Sequence, residues 1–127
     1  MNRNKETMTW NIHYVINTIG PGGIINAHTH GMNVYGHKDF QVVLNFPIWH
    51  IGYLLNEMGH RVQNGERFSP GQLIQGIYED CPIRLETFRE TGRDVLRIII
   101  PDKNNRFPDD PLCEDRYKVQ LNRAFED

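Results

Sequence analysis

From Trp10 onward the chain alternates between apolar and polar positions. Trp10, Ile12, Tyr14 and Ile16 fall on one side, and Asn11, His13, Val15 and Asn17 on the other. A period of two marks a half-buried strand. The breaker Gly20–Gly23 follows, and "IINAHTHGM" resumes the alternation, which predicts a β-hairpin closed by that Gly-Pro-Gly-Gly loop. "DFQVVLNF" (39–46) is apolar on both sides at Val42, Val43 and Leu44, the pattern of a central, covered strand. Pro47 suits the first position of a helix, where its missing N–H costs nothing. Ile48, Ile51, Leu55, Met58 and Val62 then recur at steps of three and four, one helical stripe facing a core. Glu57 and Arg61 are spaced to pair weakly on its polar side, and Gly65 fits a helix stop.

Residues 66–82 are rich in turn formers, with apolar anchors at Phe68, Leu73, Ile74, Ile77 and Tyr78. "IRLETF" and "DVLRIII" read as a second hairpin around "RETG" (89–92), and Ile98–Ile100 predicts burial on both faces. The expected architecture is α+β: a mostly antiparallel sheet of about five strands with one main helix packed on one face. The whole of 1–127 reads as one domain, with 1–8 a flexible N-terminus and 112–127 an acidic tail.

Composition narrows the partners. A formal net charge of −2 argues against non-specific nucleic-acid binding, which needs a clustered excess of Lys and Arg. The polar start has no apolar core of a signal peptide, and no apolar run approaches a membrane span. Cys81 and Cys113 have neither zinc-type spacing nor disulfide-scaffold density. Two reduced thiols in a cytoplasmic protein are the expectation.

The chemistry concentrates in residues 25–37. A symmetric hairpin on Gly20–Gly23 pairs Tyr14 with Thr29, Ile16 with Ala27, His13 with His30, Val15 with His28, and Asn17 with Asn26. The face with Ile12, Tyr14, Ile16, Ile25 and Ala27 becomes the core side, and the opposite face gathers His13, His28 and His30. Three imidazoles so placed can offer three nitrogens to Zn²⁺, the cofactor such a triad would take, leaving a fourth position for an acidified water. His37 or Asp39 could add a ligand or orient one. The simpler reading is a polar, ligand-facing surface.

Other groupings are weaker. Pairing across "RETG" sets Arg84 opposite Arg97, with Arg93 nearby and Glu86 on the same face. Like charges directly opposite repel, unless they splay into solvent or share an anion. Tyr53, Glu57 and His60 share one helix side. No serine sits in a nucleophile-elbow pattern, and "IGPGGI" lacks the Lys-Ser/Thr and helix of a phosphate loop. The "PDKNNRFPDD" loop offers Asp102 and Arg106, which can bridge a tight turn through Asn104-Asn105.

Three motifs together resemble a family of small bacterial and phage proteins, the domain-of-unknown-function family four-two-six-two. Gly36-His37 with Asp39 precedes a strand, Gly65-Glu66-Arg67-Phe68 follows the helix, and Pro101-Asp102 with Arg106-Phe107-Pro108 forms the late loop. The resemblance spans roughly residues 14–112 and implies an α+β fold without supplying a reaction or cofactor. Lys38 stands where that family usually has proline. His30 departs from its Thr-apolar-Gly-apolar stretch, so a metal site on His30 would be peculiar to this chain.

The functional expectation is a non-catalytic protein that binds a small polar or anionic molecule, nucleotide-like in one version, or a protein partner. A second copy of the chain is a further candidate partner. The residues expected to serve the ligand are Asn26, His28, His37, Asp39, Arg84, Arg97, Asp102 and Arg106. The competing expectation is a small metal-dependent hydrolase built on His13, His28 and His30. No membrane association is expected.

Overall fold

The computed structural model describes residues 9–17 and 23–125. Six strands form one sheet: β1 (Asn11–Asn17), β2 (Ile24–His30), β3 (Phe40–Leu44), β4 (Leu73–Ile74), β5 (Ile83–Glu90) and β6 (Arg93–Ile99). Their spatial order is β1-β2-β3-β6-β5-β4. Every neighbouring pair is antiparallel except β3 and β6, which run parallel. The sheet thus has one strand more than expected, the extra being the two-residue β4 drawn from the turn-rich stretch.

The main helix, α1 (Ile48–Gln63), packs on β2 and β3. Its buried stripe is Ile51, Leu54, Leu55, Met58 and Val62. It meets Ala27, Phe40, Val42, Leu44, Leu96 and Ile98 in the principal core. Pro47 lies just outside the helix as its N-cap, and Ile48 stays exposed, so the stripe starts one turn later than its spacing suggests. Gly59 is required by contact: a Cβ there would come within 2.7 Å of the Trp10 ring. Tyr14 and Ile16, expected in the core, are 39% and 57% exposed, because α1 leaves the outer strand largely uncovered. Leu73 is exposed too, since β4 lies at the sheet's other edge.

Both hairpins are shifted by two residues from the expected register. In the first, Ile12 faces Thr29, His13 faces His28, Tyr14 faces Ala27, Val15 faces Asn26 and Asn17 faces Ile24. Of the Gly20–Gly23 loop proposed to close it, residues 20–22 lie outside the described residues. In the second, Glu90 and Arg93 flank a Thr91-Gly92 turn, with φ of 50° and 75°. Positive φ at both central residues gives a turn whose twist matches the strands. Arg84 therefore faces Ile99, and Arg97 faces Glu86. The anticipated Arg84–Arg97 opposition is absent because the chain turns two residues tighter.

The sheet face away from α1 is also covered. Val43, Val95, Ile99 and Phe88 are buried there with the fully buried Arg97. The covering segment is the tail: α2 (Asp115–Lys118) and a 3-10 turn at Val119–Leu121, with Gln120 buried. Gln120 bonds both the N–H and the C=O of Ile100. Among the described residues no helix is long and apolar enough to cross a membrane.

Candidate metal centre

Residues two apart on a strand share a face, so β2 presents His28 and His30 on the side away from α1. The register adds His13 directly opposite His28. Ring centroids are 5.2 Å apart for His13–His28, 4.4 Å for His13–His30 and 4.8 Å for His28–His30. One nitrogen from each ring lies within 4.8 Å of the other two. Tetrahedral Zn²⁺ with ligands at 2.0–2.1 Å separates its donors by about 3.3 Å. Side-chain rotations of exposed His13 and half-buried His30 can close that gap, with His28 as the fixed member. No fourth His, Cys, Asp or Glu joins the group among the described residues.

His28 is the informative member. It is 6% exposed, and its Nε2 lies 3.5 Å from Oε2 of Glu90. The other ring nitrogen, Nδ1, is buried without a hydrogen-bond partner among the described residues. Leaving such an atom unsatisfied costs about 1–3 kcal/mol, so it calls for an explanation. Burial pushes the His28 pKa below the usual imidazole value. Glu90 acts against this, while His30, Arg93 and His13 reinforce it. The neutral ring is the form that binds metal.

Glu90, which the sequence reading did not single out, reaches the triad from the end of β5. Burial opposes its ionisation, but the Thr91 hydroxyl, His28 and Arg93 outweigh that and hold its carboxyl below the usual range. Arg93 bonds Oε1 of Glu90 at 3.1 Å, pairs with Asp39 and donates to the carbonyl of Thr29. A continuous polar chain thus runs from His28 to the base of β3. Only the folded hairpin brings Glu90 there, and no local sequence signal marks it.

The other residues singled out in sequence hold the fold together. Asp39 accepts from the Thr29 hydroxyl at 2.7 Å and the Met32 N–H at 3.0 Å, besides Arg93. His37 bonds the Lys38 carbonyl through Nδ1 and accepts the Phe68 N–H at Nε2. Arg67 donates to the carbonyls of Val62 and Tyr35. Asp102 accepts the N–H groups of Asn104, Arg106 and Glu114; these outweigh its burial and lower its pKa. Arg106 donates to the Leu112 carbonyl. The motif residues shared with the resembling family therefore clasp loops to strands.

Asn26 accepts from Gln41, whose Oε1 accepts from Arg97 Nε at 2.8 Å. Arg97 also donates to the carbonyls of Gln120 and Asn122 and lies 3.5 Å from the Phe88 ring centroid. Buried in this way, it has no surface to offer an anion. Arg84 pairs with Glu86 at 2.9 Å and Asp109 at 3.1 Å beside a hollow of about 340 Å³. In the helix trio, His60 packs edge-on to Trp10 and bonds Gln63. Cys81 and Cys113 are free thiols whose pKa values burial raises.

Residues 6–114 match a family model described as a domain of unknown function (DUF4262). No curated protein and no solved structure matches it.

Proposed function

The chain belongs to the DUF4262 family, a domain of unknown function, and on that footing we propose that this member is a metal-binding protein with Zn²⁺ at His13, His28 and His30. The observation that carries this reading is the state of His28: buried, with one ring nitrogen facing Glu90, the other without a partner among the described residues, and burial lowering its pKa. A ligating histidine almost always gives its second N–H to a carboxylate or carbonyl, which sets its tautomer and orientation. Glu90 supplies that acceptor, leaving Nδ1 of His28 for the ion. His13 and His30 complete a three-nitrogen set, with one position left for water or a small anion. Three protein ligands and an open position are the usual arrangement of sites where zinc acidifies water or binds an anionic group directly.

The site serves a binding role first. Among the described residues the triad carries no fourth protein ligand, and Glu90 is already engaged by Arg93 and Thr91. A small polar anion completing the metal's coordination unites the sequence-based ligand expectation with the histidine cluster. Native mass spectrometry of tag-free protein purified without chelators tests the reading. One zinc per chain, lost in His28→Ala and in His30→Ala, supports it. A bare mass after equilibration with excess Zn²⁺ overturns it.

A further inference from the structure

At the start of α1, four aromatic rings that include none of the histidine triad form a cleft. Tyr117 meets Phe46 edge-on at 6.0 Å, Phe46 lies 4.9 Å from His50, and His50 lies 5.7 Å from Tyr78. Together with the chain leaving β6 they line an open hollow of about 230 Å³. We propose that this cleft binds a small aromatic carboxylate, its ring among the four side chains and its charge at Lys103.

Size sets the first limit. Pockets for drug-sized molecules run from about 300 to 1,000 Å³, so this cleft suits one or two fused rings and is too small for a whole nucleotide. The wall chemistry sets the second. His50 Nε2 and the Tyr78 hydroxyl lie 2.6 Å apart and satisfy each other. Burial disfavours the charged form of both, lowering the His50 pKa and raising that of Tyr78. The lining therefore presents neutral ring surface, to which an aromatic ring packs in offset or edge-on contact.

Charge at the rim sets the third. Lys103 lines the mouth, is exposed and has no ion-pair or hydrogen-bond partner among the described residues. Arg116 lies over Phe46 at 4.9 Å, a second cation beside that ring. The neighbouring carboxylate of Asp102 is consumed by three backbone N–H groups. Lys103 is the cationic side chain in the lining, so the ligand's anionic end belongs there.

The test is an NMR titration of the intact chain with 2-naphthoate, using neutral 2-naphthamide as control. The expected result is saturable shifts at Phe46, His50, Tyr78 and Tyr117 for naphthoate, with Lys103→Gln weakening naphthoate binding roughly fivefold and leaving the amide unchanged. Lys103 is exposed, so that variant retains the fold. No saturable shift at millimolar naphthoate overturns the proposal. So do shifts centred on His13, His28 and His30, which would place the carboxylate on the metal site, and an amide that binds as tightly as the acid.

Discussion

Oε2 of Glu90, at the end of β5, lies 3.5 Å from Nε2 of His28 on β2, although β3 and β6 separate those strands in the sheet. The contact makes the two nitrogens of the buried ring unequal: one faces a carboxylate and the other has no hydrogen-bond partner among the described residues. Loss of such a supporting carboxylate typically weakens metal affinity by about 10–100-fold. Glu90→Gln should therefore reduce Zn²⁺ affinity within that range while all three imidazoles remain, as read by competition with a chromophoric chelator. An unchanged affinity would leave Glu90 as a structural partner of Arg93 alone.

Asp39 joins β2, the turn after it and the β5–β6 hairpin through Thr29, Met32 and Arg93. Replacing it with alanine strands a buried N–H and removes the partner of the Arg93 cation. Breaking one side of a buried ion pair costs about 3–5 kcal/mol, and Arg93 is partly solvated, so a loss near 3 kcal/mol is expected. Urea denaturation measures it. A loss below about 1 kcal/mol would mean that the clasp contributes no more than a surface pair.

Arg97 holds the tail on the second face through the carbonyls of Gln120 and Asn122. In Arg97→Ala those acceptors and the Gln41 amide oxygen lose their donor, at about 1–3 kcal/mol for each group left buried. Residues 115–125 should loosen before the sheet does. Limited proteolysis should cut there first in the variant, whereas equal resistance in both proteins would show that the tail is held by packing alone.

Gly59→Ala places a methyl within 2.7 Å of the Trp10 ring, whose Nε1–H is fixed on Asn56 at 2.9 Å. Overpacking of this kind costs about 1–3 kcal/mol. Tryptophan fluorescence should shift as the indole moves, and the thermal midpoint should fall. An unaltered spectrum and midpoint would place Trp10 elsewhere.

Burial lowers the pKa of His50 in the folded chain below its unfolded value of about 6.5. Above pH 6.5 both states are neutral there and the group has no effect on stability. As pH falls from 6.5 toward the folded value, the unfolded chain takes up the proton first, and stability is lost. His50→Gln should flatten that part of a denaturation profile, with a residual slope from His28, which burial shifts in the same direction. An NMR titration placing His50 at or above 6.5 would contradict the assignment.

Alternation along the chain was enough to place His13, His28 and His30 on one face and Ala27 on the other. A strand's side-chain period is two, so any register that differs by two residues keeps every side chain on its face. That is why the histidine cluster survived a shifted hairpin while its cross-strand partner changed from His30 to His28. The stripe on α1 and the double-sided burial of β3 and β6 were legible for the same reason: periodicity reports which side of an element meets the core. Register is different, because it depends on turn geometry, and the positive φ values of Thr91 and Gly92 are not written in a hydrophobic pattern. Nor could local sequence reveal Glu90 at His28, Arg97 beneath the tail, or the aromatic cleft at His50. Each depends on strands and loops distant in sequence meeting in space, where burial and hydrogen-bond partners decide which polar groups are committed to the fold and which are not.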